Sequence, residues 1–315
     1  MERTCAADLE LTKTIKSIYI VKSKRLGSFR DRKGHFMTLL LGDRTGEVQA
    51  ILWEGAEEKY PLLAQGDLVS VSGRVREYAG TLQINLDHIS VYEDKDFDPA
   101  DFLPVSPYNR EEMLQALKQI IEGIKNPSLQ ELLDRFFLDN AWLKAFAMAP
   151  AAKKNHQAYL GGLLEHTLKV TEAANKMADV YPQADRDLLI AGAVLHDIGK
   201  IEEYQFEKSI DFTDQGRLLG HIVIGLQKIE EKLQELNSFP DSLRLKLLHI
   251  ITSHHGNYEW QSPKRPKFLE AAIIHHLDNM DATVDMFSTA AGEDYDPKSS
   301  WTGWVKGLER FIYKG

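Results

Sequence analysis

A chain of 315 residues, 43% of them hydrophobic and 27% charged, can bury more than one core and has the composition of an ordinary globular protein. Its apolar runs fall short of the roughly 18 residues a membrane helix needs, and the start MERTCAADLE lacks the apolar segment of a secretory signal, so the chain reads as cytoplasmic with no membrane partner. The lone cysteine, Cys5, excludes an internal disulfide and leaves nitrogen and oxygen ligands for any metal, while a net charge of −9 argues against a protein coated in nucleic acid.

That charge is uneven. Residues 1–92 hold 13 Lys and Arg against 12 Asp and Glu, a balance of +1 that leaves −10 for the remainder. Between Lys13 and Lys33 stand eight basic residues and one acid, Asp31, a local cationic strip. Five β-rich runs follow one another here: IKSIYIVKSKRLG, HFMTLLLGD, GEVQAILW, DLVSVSGRVREY and TLQINLDHISVY, with a short helix predicted in EGAEEKYPLLAQG between the third and fourth. This is the plan of a small all-β oligonucleotide/oligosaccharide-binding (OB-fold) barrel over 1–92. On such a barrel Phe29, Phe36, Trp53 and Tyr78 would stack on bases, and Arg30 with the rest of the strip would follow phosphates. The alternative is that these aromatics fill the barrel and the strip is a solvated face.

Residues 93–107, EDKDFDPADFLPVSP, combine five acids with three prolines and read as a linker. Asn109 and Glu112 resemble a capping box before EMLQALKQIIEGI, which predicts a connecting helix and closes a linker region over 93–125. From residue 126 to 315 nearly everything reads as helix, so the fold class is a multidomain chain with a β-barrel followed by an all-α domain.

Nine of the eleven histidines lie between His156 and His276. His166 sits on the stripe of Leu163, Val170, Ala174 and Met177; His196 and Asp197 close an apolar helix just before Gly199. His221 follows Leu218 by three and precedes Gly225 by four, which predicts a buried face; His254 continues the stripe of Leu247 and Ile250. In FLEAAIIHHLDNMDATVDMF a core stripe is predicted through Ile273, Leu277, Met280, Val284 and Phe287, with His275 and Asp278 on the neighbouring stripe. Burying so many titratable groups unpartnered would cost several kcal/mol each, against a domain stability of about 5–15 kcal/mol. A divalent metal is the economical compensation.

His166, then His196 and Asp197, then Asp278 resemble the H…HD…D signature of the HD-domain metal-dependent phosphohydrolases. YLGGLLEHT, LHDIGK, LLGHI, SHHG followed by SPK, and HHLDNMDA together resemble the YhaM family of 3′→5′ exoribonucleases, which join a nucleic-acid-binding barrel to an HD domain. Asn155 and Gln261 depart from that family's pattern. The resemblance implies hydrolysis of single-stranded RNA, with DNA as an alternative substrate, by two divalent ions, manganese or cobalt. The ligand types alone also admit iron, nickel or zinc. It assigns one ion to His166, His196, Asp197 and Asp278, and a second to Asp197 as bridge with His221 and His254. His255 is either an outer ligand or a phosphate contact. The two ions would clamp a phosphodiester and acidify an attacking water.

Lys200 would offset charge on the phosphoryl oxygens or assist the leaving oxygen, its alternative being a solvated lysine near a helix end. His275 would orient Asp278 or make an ordinary helix-face contact. Lys153, His156 and Tyr159 would line the RNA path, and PKRPK adds cations. The tail SSWTGWVKGLERFIYKG reads as packing on the domain or on a second copy in a homo-oligomer. Two rivals remain: an HD phosphohydrolase of nucleotides or cyclic dinucleotides, although no GYP motif follows SHHG, and a non-catalytic nucleic-acid-binding regulator.

Overall fold

The structure, a computed structural model, describes residues 3–29, 31–93, 97–154, 157–292 and 299–315. It divides into two compact units, Met1–Pro104 with Glu207–Ser209, and Val105–Phe206 with Ile210–Gly315. Arg30 and His156 lie outside the described residues.

The first unit is the expected closed barrel. β1 (Thr14–Ser28), β2 (His35–Asp43), β3 (Gly46–Leu52), β4 (Leu68–Tyr78) and β5 (Thr81–Val91) are ordered β1-β2-β3-β5-β4. The long β1 serves two neighbours: Thr14–Ile20 pairs with β4 and Ile20–Ser28 with β2, with a register shift between Val21 and Ser23 that bends it around the barrel. A parallel pairing of β3 with β5 closes the ring. Alternation along the strands sends Tyr19, Val21, Met37, Leu39, Leu41, Val71, Ile84 and Ile89 inward. The predicted short helix is α1 (Ala56–Lys59), extended by a single 3-10 turn at Tyr60–Leu62.

The second unit is helical: α2 (Arg110–Glu122), α3 (Pro127–Phe137), α4 (Asn140–Met148), α5 (Gly162–Val180), α6 (Arg186–Leu195), α7 (Lys200–Glu203), α8 (Asp214–Gln234), α9 (Asp241–Ser253) and α10 (Leu269–Gly292). A two-stranded pair, β6 (Tyr204–Gln205) with β7 (Asp211–Phe212), links α7 to α8. The helix starts follow from local chemistry. Asn109, Asn126, Asp139, Asp185 and Thr213 each accept backbone N–H bonds at the first turn of α2, α3, α4, α6 and α8. α2, expected as a connector, buries Met113, Leu117 and Ile121 in the helical unit's own core. α6 is buried along its length from Leu188 to Leu195, and α5, α9 and α10 pack around it. The central helix is therefore apolar all round, and its end delivers His196 and Asp197 into the middle of the unit.

Two predicted stripes are corrected. α8 is not continuous: Gly220 has φ 72°, ψ 159°, which breaks the helix one residue before His221. Leu218 is 83% exposed, so it shares no buried face with His221. In α10 the buried stripe is Ala271, Ile274 and Leu277, while Met280 and Val284 are about half exposed. The register is rotated because carboxylates, not aliphatic side chains, occupy the inward positions beyond Leu277.

Candidate active site

Asp197 lies at the centre of the site, 2% exposed. Its Oδ2 stands 3.5 Å from His166 Nε2 and 3.4 Å from His196 Nε2; its Oδ1 stands 3.5 Å from both His221 Nε2 and His254 Nε2. Asp278 Oδ1 completes the first group, 3.3 Å from His166 Nε2 and 3.9 Å from His196 Nε2. Two clusters with metal-ligand spacing result: His166, His196, Asp197 and Asp278, and His221, His254 and His255.

The tautomers follow from what each Nδ1 meets. The Nδ1 atoms of His196, His254 and His255 face the carbonyl oxygens of Ala193, Ile251 and Trp260 at 2.7–2.8 Å, so each carries the proton and donates it. His166 Nδ1 donates to Asp281 Oδ2 at 2.7 Å, and His221 Nδ1 to Glu203 Oε1 at 3.1 Å. In the neutral rings all five Nε2 lone pairs are then left to the ligand clusters. His166 and His196 bring their Nε2 atoms within 3.1 Å, and those of His221 and His254 are buried without a hydrogen-bond partner, as is Asp197 Oδ1. Acceptors crowded on acceptors are unfavourable unless a cation sits among them, a proton shared by His166 in the ion-free chain or a metal ion that displaces it. Separations of 3.1–3.9 Å are the edge lengths of a coordination polyhedron with metal–ligand bonds near 2.0–2.2 Å. The donor set fits divalent metal.

Charge is arranged to match. Burial opposes ionisation of Asp197, but the ammonium of Lys200, and after it the His196 imidazole beside it, hold its carboxyl well below the usual range. Lys200 is 6% exposed and its Nζ lies 2.6 Å from Asp197 Oδ2; burial works against its charge, and Asp197 outweighs burial and raises its pKa. The solvated-lysine reading is thus excluded. Close approach of the backbone makes this possible, because a Cβ on Gly199 would run into His221 O and Gly225 N of α8.

On the barrel, Phe29, Phe36 and Trp53 form one group, with ring centroids 5.4–6.1 Å apart and the Arg32 guanidinium 3.9 Å over the Phe29 ring. Trp53 is 41% exposed and none of the three belongs to the buried barrel core, so the barrel-filling alternative fails.

Residues 163–283 match the HD domain family and residues 20–92 the OB-fold nucleic acid binding domain family. The 3′-5′ exoribonuclease YhaM of Bacillus subtilis (strain 168) is 36% identical over 282 residues, covering 89% of this chain and 88% of that protein. YhaM of Bacillus pumilus (strain SAFR-032) is 35% identical over 297 residues, covering 94% and 93%. The chain belongs to the YhaM family.

Other positions singled out in this YhaM-family sequence fare differently. Lys153 is held by Asp211 at 2.6 Å, and the Tyr159 hydroxyl donates to the buried Glu165 carboxylate at 2.9 Å, with burial and then Glu165 driving its pKa up. Both are committed to protein partners. His275 Nδ1 meets the carbonyl oxygen of His254 at 2.8 Å rather than Asp278. Gln261, a departure from the family pattern, adopts φ 64°, the left-handed region that favours glycine.

Asp281 and Glu203 escaped the sequence reading. Each orients one imidazole, and Asp281 Oδ2 also accepts from Gln157 Nε2 at 2.9 Å. Asp281 is one helical turn beyond Asp278, a spacing that could have exposed it. Asp281→Asn is expected to lower metal affinity about 10–100-fold, measured by competition with a chelating dye. An unchanged affinity would show that His166 needs no such tether.

Proposed function

We propose that this protein is a 3′→5′ exoribonuclease that hydrolyses phosphodiester bonds of single-stranded RNA with two divalent ions, manganese or cobalt, single-stranded DNA being a second substrate. One observation carries the reading: the two oxygens of a single buried carboxylate, Asp197, face two separate imidazole groups. His166, His196 and Asp278 would hold one ion with Asp197 Oδ2; His221 and His254 would hold the other with Oδ1, His255 standing beside them. Bound there, the ions supply Lewis acidity to the phosphodiester and lower the pKa of the attacking water.

The protein's own groups do the rest. Asp281 and Glu203 fix two rings so that their Nε2 atoms need no reorganisation. Lys200 Nζ, already a cation beside Asp197, offsets charge on the phosphoryl oxygens or assists the leaving oxygen. Direction of degradation is carried by the family relationship. The Phe29, Phe36 and Trp53 group supplies a stacking surface for unpaired bases, and Arg32 a cation beside it. Trp53→Ala is expected to weaken RNA binding by about 1–3 kcal/mol across sequences, read by fluorescence anisotropy on the ion-free chain. Equal affinity would remove the barrel aromatics from substrate capture.

The deciding experiment is elemental analysis of the purified protein followed by time courses on RNA blocked at one end. Two ions per chain and arrest only by the 3′ block are expected. Turnover of free nucleotides alone would favour the small-molecule phosphohydrolase reading.

A further inference from the structure

The tail Ser299–Gly315 folds back on itself through bridges between Trp301 and Tyr313 and between Val305 and Arg310. Leu308 and Ile312 are buried, 8% and 4% exposed, and the tail belongs to the helical unit. Its tip, Lys306 to Arg310, is one wall of an open cavity of about 670 Å³ whose other end is Lys200, His255 and Asp278, members of the clustered site. Between them lies one face of α10, with Ala282 and Met286 following Asp278 at successive turns. The sequence alone suggested that this tail merely packs; its tip instead shares a chamber with the clustered ligands.

We propose that the Lys306–Arg310 tip is a phosphate-binding subsite of the catalytic cavity, holding a backbone phosphate of single-stranded RNA upstream of the bond being cleaved. The inference rests on the exoribonuclease reading above and extends it to the substrate path. Lys306 and Arg310 are exposed, and among the described residues neither is ion-paired to a carboxylate. Arg310 Nε donates to Leu308 O at 2.7 Å, which fixes the guanidinium root and leaves its two terminal nitrogens for an anion. Glu309 holds φ 51°, a left-handed turn that a side-chain-bearing residue adopts at a cost, and it brings the two cations to either side of one tight tip. Cations at the far end of a cavity whose near end holds the metal-ligand set suit a polyanion long enough to reach both. A single nucleotide would use only the near end.

The test compares wild type with the Lys306→Ala/Arg310→Ala double variant, both full-length and manganese-loaded, on an RNA oligonucleotide and on a dinucleotide. For the oligonucleotide KM is expected to rise about tenfold and the salt slope of log KM to fall by roughly 0.7 per lost contact. For the dinucleotide the change is expected to stay within about twofold, and the charge-conserving Lys306→Arg/Arg310→Lys pair should restore most of the loss. Equal KM values on the oligonucleotide overturn the subsite while leaving the exoribonuclease reading intact. Failure of the wild type to degrade RNA overturns that reading and the subsite with it. A change in assembly mass by light scattering with KM unchanged would assign the tip to contacts between copies instead.

Discussion

Asp197→Asn is expected to lower RNA hydrolysis by at least about 1000-fold and to leave the purified chain short of metal. The amide keeps the shape and one acceptor, but its NH₂ replaces an oxygen that faces two imidazole nitrogens, and hydrogen-bonding to those nitrogens would occupy the lone pairs an ion needs. A loss of several kcal/mol of Lewis-acid stabilisation corresponds to that factor at about 1.4 kcal/mol per tenfold. The same change strips Lys200 of a partner 2.6 Å away in an enclosed site. Breaking one side of a buried pair costs roughly 3 kcal/mol, so the melting temperature of the metal-free variant should also fall. Elemental analysis, hydrolysis rates and thermal melts would check the three effects separately. Retention of full nuclease activity would mean that the cluster is not the hydrolytic centre; a wild type without nuclease activity with any divalent ion would instead put the regulator reading first.

The legibility of this site in the sequence differs helix by helix, for physical reasons. α5 obeys simple periodicity: Leu163 and Val170 are buried, so His166 between them is buried too. The LHDIGK stretch was readable because α6 is apolar on every face, leaving its two titratable residues conspicuous. α8 was not readable in detail. Helical arithmetic assumes a continuous helix, and Gly220 interrupts it, so the inward direction of His221 arises from a kink and from the Glu203 carboxylate that accepts both its backbone N–H and its ring N–H. α10 misled for a related reason. Hydrophobic patterning treats carboxylates as solvent-facing, whereas Asp278 and Asp281 face His196 and His166 and push Met280 and Val284 outward. The barrel was legible strand by strand because alternation and turn residues are local signals. The partners of Lys153 and Tyr159, Asp211 and Glu165, were not legible, because they are set by tertiary packing that no local pattern records.

Metal loading is expected to depend steeply on pH, with manganese affinity falling about tenfold per unit as pH drops below about 9. Burial alone would lower the His166 pKa, but hydrogen bonds to Asp278 and Asp281 and the charges of Asp278 and Asp197 outweigh it and raise the value to about 9. In the ion-free protein His166 therefore carries both ring protons at neutral pH, and an ion at Nε2 must displace one. The folding consequence has the opposite sign. A histidine that binds its proton more tightly when folded stabilises the ion-free chain fully below its unfolded value of roughly 6.5, and that contribution is lost as pH rises to about 9. The ion-bound chain has no such proton to lose. The stabilisation that manganese confers should thus widen between pH 6.5 and 9, with roughly one proton released per chain from this residue at pH 7.5. Calorimetry in buffers of different ionisation enthalpy reads the proton, and melts with and without manganese read the widening. Manganese binding that is independent of pH, with no proton released, would show that His166 is not a ligand of the ion.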